Sequence, residues 1–309
     1  MEKRQLGRSD LYVSQLGLGC MSLGKEEKVA FGIIEAALES GINYFDTADL
    51  YDFGTNEKIV GQALKSVREK VVIATKVGNR WRDAQDGWSW DPSKAYIKEA
   101  VKQSLKRLGT DYIDLYQLHG GTLDDRIDES IEAFEELRAE GYIKYYGISS
   151  IRPNVIREYV AKSNIVSVMM QYSMLDRRPE EEAMPLLLEN GISVVTRGPL
   201  ANGLLSNQLL KKASARVQEK GYLDYSFAEL SERLPLLREN LARLSDRSFT
   251  EIAMQFNLAN PAVTSIVAGA SSVEQVRENA AAASSSPLSE EEVMLIRELT
   301  KANRYAEHR

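Results

Sequence analysis

The 309-residue chain predicts a (β/α)8 TIM barrel with an N-terminal hairpin and extra helices, its active site at the C-terminal end of the strands. Nearly continuous short apolar runs alternate with amphipathic stretches of ten or more residues, the pattern of parallel strands joined by right-handed helical crossovers. The unit recurs seven times and an eighth follows a long insert, enough to close a ring. Proton-handling residues stand just after several of the runs. An open doubly wound sheet would more often show Gly-x-Gly-x-x-Gly after its first strand, and Gly17-Leu18-Gly19, followed by Cys-Met-Ser-Leu-Gly, does not complete it.

In chain order, a strand over 14–20 precedes a helix over 28–40, 44–48 precedes 55–67, and 71–77 precedes 92–108. The pattern continues with 112–118 before 126–141, 145–149 before 153–163, and 166–171 before 179–190. The seventh strand, 192–196, leads into a long insert, 201–247, of the kind that commonly forms a lid or binding loop. A helix over 250–260 precedes the eighth strand, 265–268, and its helix, 272–283. Residues 1–13 form a hairpin across the barrel bottom around Gly-Arg-Ser-Asp, and 288–302 form a terminal helix capped by Ser289. The whole of 1–309 reads as one domain, a usual length for such barrels.

Composition narrows the function classes. A net charge of −6 and no basic stripe with interleaved aromatics argue against nucleic acid. The single cysteine, Cys20, excludes an internal disulfide framework, and no Cys/His cluster has zinc-ligand spacing. No run approaches the roughly 18 apolar residues of a membrane span. The expectation is a soluble, cytoplasmic protein without metal, acting on a small molecule.

Four residues carry the chemistry. Lys76 ends the run Val-Val-Ile-Ala-Thr-Lys, where the bland alternative is a lysine emerging into water. A desolvated ammonium needs a carboxylate, and Asp46, otherwise a turn former, sits one strand away. Tyr51 follows Asp46 by five residues, so its loop can return the phenol over the barrel mouth, where an ammonium eases proton loss. His119 is one of two histidines, stands at a strand's C-terminal end, and can hydrogen-bond a carbonyl; the other, His308, lies in the tail.

At these residues the sequence resembles the aldo-keto reductases, over essentially its whole length. The run Gly41-Ile-Asn-Tyr-Phe-Asp-Thr-Ala-Asp-Leu-Tyr51, then Asn56-Glu57 and Gly61-Gln-Ala-Leu64, matches the family's motif. So do Lys76, the Tyr-Ile-Asp-Leu-Tyr-Gln-Leu-His run, Gly147-Ile-Ser149, Gln171-Tyr172, Pro199-Leu200 with Gly203-Leu-Leu205, and Glu278-Asn279. The resemblance implies a catalytic tetrad of Asp46, Tyr51, Lys76 and His119, and NADP(H)-dependent reduction of aldehydes or ketones, with NADH not excluded. It also implies cofactor contacts at Gly19, Cys20, Met21, Ser149, Gln171, Arg197, Pro199, Leu200, Gly203, Gly269, Ser271, Ser272, Gln275, Glu278 and Asn279. Physics agrees at the last group, where Ser271 and Glu274 read as a capping box opening a helix, and a helix N-terminus attracts phosphate.

Three positions depart from the family pattern. Ser150 stands where an asparagine usually follows Ser149, and Arg197 where an aromatic usually stacks on the nicotinamide. A guanidinium stacks on rings too, yet repels an oxidised, positively charged nicotinamide, which favours its release. No Arg or Lys near Ser271 and Ser272 grips a 2′-phosphate, Arg277 being the nearest base. The competing classes are a nicotinamide-binding regulatory subunit and a barrel isomerase or lyase using Asp46 and Lys76. Trp81, Trp88, Trp90 and the 201–247 insert are expected to wall the pocket, favouring apolar or aromatic carbonyls.

Overall fold

The computed structural model describes residues 1–82 and 84–309. The chain opens with an antiparallel hairpin, β1 (Lys3–Gln5) and β2 (Tyr12–Ser14), as expected. There follow β3 (Leu16–Gly19), α1 (Glu27–Glu39), β4 (Tyr44–Asp46), α2 (Thr55–Leu64) and β5 (Val72–Val77). A second hairpin, β6 (Asn79–Trp81) and β7 (Trp88–Trp90), leads to α3 (Lys94–Leu108), β8 (Ile113–Leu118), α4 (Ile127–Ala139), β9 (Ile143–Ser149) and α5 (Pro153–Lys162). The remainder is β10 (Ser167–Gln171), α6 (Ala183–Glu189), β11 (Ser193–Arg197), α7 (Ala215–Lys220), α8 (Phe227–Ala242), α9 (Phe249–Leu258), β12 (Val263–Gly269), α10 (Val273–Ala283) and α11 (Glu290–Leu299).

Strands β3, β4, β5, β8, β9, β10, β11 and β12 pair in parallel and close on one another, β12 returning to β3. The period-two alternation of strands sorts their side chains into two cores. Leu18, Phe45, Ile73, Tyr116 and Ile148 point outward into the layer beneath the helices, while Tyr44, Ala74, Leu115, Met169, Val195 and Val267 fill the barrel interior. Leu6, Leu11 and Val13 of the first hairpin join the inner set and plug the bottom. The Gly7 amide donates to Ser193 Oγ at 2.6 Å there, leaving the other end open.

The same alternation decides what stands at that open end. Counting on by two from the inner core residues reaches Asp46 from Tyr44, Lys76 from Ala74, Gln117 from Leu115, Gln171 from Met169 and Arg197 from Val195. Each polar residue therefore replaces a core residue in the topmost inward row. Gly17 keeps the row below narrow, since a methyl there would lie 2.6 Å from the Tyr44 ring.

The structure corrects two expectations. The helix expected over 179–190 is a 3-10 turn, Arg178–Glu180, and then α6, which begins at Ala183 so that Pro185, lacking an N–H, falls in its first turn. The helix expected to 67 ends at Leu64 and tightens into a 3-10 segment, Lys65–Lys70. The 201–247 insert, expected as a lid or binding loop, folds into short 3-10 turns, α7 and α8, with α8 packed on α11.

Helices α2 and α3 cross at Gly61, where an added methyl would lie 2.1 Å from the Leu108 carbonyl oxygen. Backbone cannot yield as a side-chain tip can. Gly61→Ala is expected to cost about 1–3 kcal/mol, measured as a lowered urea midpoint with an unchanged circular dichroism spectrum.

Candidate active site

At the open end, Lys76 is 1% exposed and its Nζ donates to Asp46 Oδ1 at 2.5 Å and to the Thr47 carbonyl at 2.8 Å. Its third contact is the Tyr51 hydroxyl, at 3.4 Å. Burial alone disfavours the ammonium, but Asp46 and Tyr51 outweigh it, so the lysine is held above its ordinary range. Burial raises the carboxyl of Asp46, opposed by Lys76, by Gln117 (whose Nε2 donates at 3.3 Å) and by Arg197. With a 2.5 Å ammonium contact and a second donor, the pair is ionised.

The His119 ring meets Tyr51 edge to face at 6.0 Å between centroids. Burial, with Lys76 and Arg197 adding to it, pushes His119 down to about 3, so the imidazole is neutral at ordinary pH. Its Nδ1 is buried without a partner among the described residues. Tyr51, Lys76 and His119 line a cavity of about 720 Å³, with Trp88, Trp90 and Ile151 in its apolar wall. Asp46 lies behind Lys76 rather than in the cavity.

The loop bearing Tyr51 is stiffened from below. Asn56 accepts from Thr47 Oγ1 at 2.7 Å and donates to the Cys20 carbonyl at 2.8 Å. Glu57, fully buried, takes Thr75 Oγ1 on one oxygen and Arg107 Nε on the other, both at 2.6 Å. It thereby ties α2 to the strand carrying Lys76 and to α3. Arg107 in turn lies 5.1 Å from the Trp81 ring centroid, and Trp81 meets Phe53 edge to face. Asp52 and Phe53 hold φ of 47° and 51°, strained values for side chains of their size, and Gly54 follows at 82°. A methyl at Gly54 would strike Arg107 at 2.6 Å, so the turn rests directly on the ion pair. Asp49, also buried, is pushed well above the carboxylate range by burial and by Glu57, with Arg107 opposing.

The sequence-expected cofactor positions gather along the rim in two groups. Met21, Ser149 and Arg197 line the cavity. Gln171 joins them at the end of β10, accepting from Arg197 Nη1 at 3.0 Å and donating to Tyr222 of the insert at 3.1 Å. Pro199, Leu200 and Gly203 form the bend after β11. The second group follows the seam of β3 and β12, where Gly19 pairs with Gly269. A methyl on Gly269 would lie 2.7 Å from Ser22 Oγ, so backbone is bare there. Beside it α10 begins, its first amides without carbonyl partners within the helix. Asn279 Nδ2 donates to the Gly269 carbonyl at 3.5 Å, and Glu278 accepts from Thr250 at 3.5 Å. Bare backbone and a helix N-terminus at one side, with amide and hydroxyl groups beside an unpartnered imidazole nitrogen at the other, fit an extended nicotinamide dinucleotide.

Several expectations change. In place of a Ser271 and Glu274 capping box, Ser272 caps α10, its Oγ accepting from the Gln275 amide at 3.3 Å, while Gln275 Oε1 takes the Ser271 amide at 2.8 Å. Cys20 turns its thiol away, donating to Leu18 O at 3.6 Å. Trp81 supports the Phe53 turn instead of lining the cavity, and Tyr222 of the insert reaches Gln171 at the rim. Ser150 Oγ accepts from the Arg152 amide at 3.2 Å. The sequence reading missed Gln117, although the alternation from Leu115 points to it, and Tyr222, for which no local signal exists.

Glu57→Gln would leave the Arg107 guanidinium without its charge partner. The variant is expected to lose about 3 kcal/mol of stability by urea titration, and turnover should fall with it as the Tyr51 turn loosens.

Comparison with known proteins agrees with this geometry. The model of the Aldo/keto reductase family matches residues 15–301. The uncharacterised oxidoreductase YqkF of Bacillus subtilis (strain 168) is 59% identical over 309 residues, covering 100% of both chains. The NADH-specific methylglyoxal reductase of Escherichia coli (strain K12) is 33% identical, covering 98% of this chain and 99% of that one. Among solved structures, the holo form of aldo-keto reductase AKR11C1 from Bacillus halodurans superposes with a TM-score of 0.92 at 59% identity, over 100% of this chain and 99% of that one. A barrel closed by eight parallel strands, matched from end to end, places this chain in the aldo/keto reductase family, oxidoreductases whose general reaction is carbonyl reduction.

Proposed function

We infer that the protein is an NADP(H)-dependent reductase of aldehydes or ketones in which Tyr51 is the general acid. The observation that carries this is the 3.4 Å contact between the Tyr51 hydroxyl and a buried, charge-paired Lys76. A bound reduced nicotinamide supplies the hydride. The chain's own residues handle the oxygen. Tyr51 gives its proton to the carbonyl oxygen as negative charge develops there, and Lys76 favours the phenolate left behind. Asp46 keeps Lys76 charged and aimed. Neutral His119 orients the carbonyl as a hydrogen-bond donor.

Ser149 and Gln171 suit the carboxamide of the nicotinamide, and Arg197 stands where its charge disfavours the oxidised ring. At the adenosine end, Ser271, Ser272 and the first amides of α10 receive the 2′-phosphate. No cation is committed to it, since Arg277 reaches Glu39 at 3.7 Å instead. Discrimination between NADPH and NADH is therefore expected to be modest, and a carbonyl panel run with both cofactors measures it.

Tyr51→Phe should lower kcat about 10²-fold or more while cofactor affinity, read by fluorescence titration, stays near that of the parent. An unchanged rate would remove Tyr51 from its role. Ser272→Arg should raise the kcat/KM ratio of NADPH over NADH, and an unchanged ratio would place the phosphate elsewhere.

A further inference from the structure

The charge of the cavity wall runs against that of the protein. The chain carries a net −6, yet among the described residues lining the cavity there are three cations, Lys76, Arg152 and Arg197, and no carboxylate. Lys76 is neutralised from behind by Asp46, and Arg197 is engaged with Gln171. Arg152 is different. It is half-buried, follows β9, and among the described residues no carboxylate lies within 4 Å of its guanidinium. Asp125, the acid on the neighbouring loop, is occupied by Trp90 Nε1 at 2.9 Å and the Thr122 amide at 2.7 Å.

The guanidinium is also fixed in place. Nη1 donates to the Gly121 carbonyl at 2.7 Å, and the Arg152 amide donates to Ser150 Oγ at 3.2 Å. One edge of the fork is thereby spent and the other nitrogens remain for a ligand. Its location separates it from the adenosine end of the dinucleotide groove, because β9 stands three strands from β12 and four from β3 around the ring. An anion at Arg152 is thus on the substrate's side. Gly121 is two residues beyond His119, a chain distance of at most about 7.6 Å between Cα atoms, so the anion would sit a few carbons from the carbonyl. The Trp90 ring covers Gly120 between them, a methyl on that glycine lying 3.3 Å from the ring.

Resting on the carbonyl-reductase reading above, the geometry points to Arg152 as a specificity-determining anion site, and to carboxylate-bearing aldehydes or ketones as the preferred substrates. A carboxylate matches the planar guanidinium fork, and an indole wall suits the carbons between the two groups.

The test compares kcat/KM for matched pairs, 4-oxobutanoate with butanal and 4-carboxybenzaldehyde with benzaldehyde, in the parent, Arg152→Gln and Arg152→Lys. A phosphate arm sets glyceraldehyde 3-phosphate against glyceraldehyde. The parent should favour the carboxylate member, and Arg152→Gln should cut the charged-to-neutral ratio about tenfold or more, chiefly through KM, with Arg152→Lys restoring part of it. Equal use of both members by the parent, a ratio untouched by Arg152→Gln, or a preference confined to the phosphate would overturn the assignment. Quenching of tryptophan fluorescence by 4-carboxybenzaldehyde separates the two readings. Binding that weakens in Arg152→Gln upholds the anion site even if no carbonyl turns over, an outcome that would sink the reductase reading alone.

Discussion

An ammonium taken out of water costs several kcal/mol unless a carboxylate and further acceptors meet it. Lys76 has both, Asp46 at 2.5 Å and the Thr47 carbonyl at 2.8 Å, and the rest of the site is arranged around that solution. The pair shares no element: Asp46 ends β4 and Lys76 lies near the end of β5, so only the parallel pairing of these strands brings the charges together. Once formed, the pair leaves one direction of the ammonium for Tyr51. The same buried positive charge helps keep His119 neutral. One charge thus touches both groups that face the cavity, meeting the phenol at 3.4 Å and disfavouring a proton on the imidazole.

The support beneath Tyr51 extends the same logic outward. A turn with two residues at positive φ is strained, and it persists where its surroundings over-determine it. Here those surroundings are the Glu57 and Arg107 pair, the Trp81 ring, and Asn56 bridging Thr47 to Cys20. Polar groups that contribute little to a hydrophobic core are used to hold a catalytic-scale geometry, and each buried hydrogen-bonding atom of Glu57 has its partner. The cavity above inverts the protein's overall charge. A focused positive field in an apolar-walled cleft attracts anions more strongly than net charge would indicate.

Much of this was legible in the linear chain because it depends on local rules. Alternating runs and amphipathic stretches predicted the eight barrel strands, and the boundaries missed are those where Pro185 or a 3-10 turn altered the last or first turn of a helix. Asp46, Tyr51, Lys76 and His119 were identifiable because each closes or follows a strand, and strand ends in such a barrel converge. The family pattern, more than spacing, supplied the nicotinamide. What went wrong concerned side-chain direction. Trp81 sits in the loop segment expected to wall the pocket, yet its ring faces the Phe53 turn.

The sequence by itself determined the strand count, the closure of the ring and the chemical types at its open end, since a two-residue period and helical amphipathicity are properties of short segments. Tertiary structure alone decided that Asp46 stands behind Lys76 and outside the cavity, that Glu57 joins Thr75 to Arg107, that Tyr222 reaches Gln171 across 51 positions, and that Arg152 has no acid beside it among the described residues. These are contacts between segments far apart in the chain. Their partners are chosen by barrel register and loop packing, which no local pattern encodes.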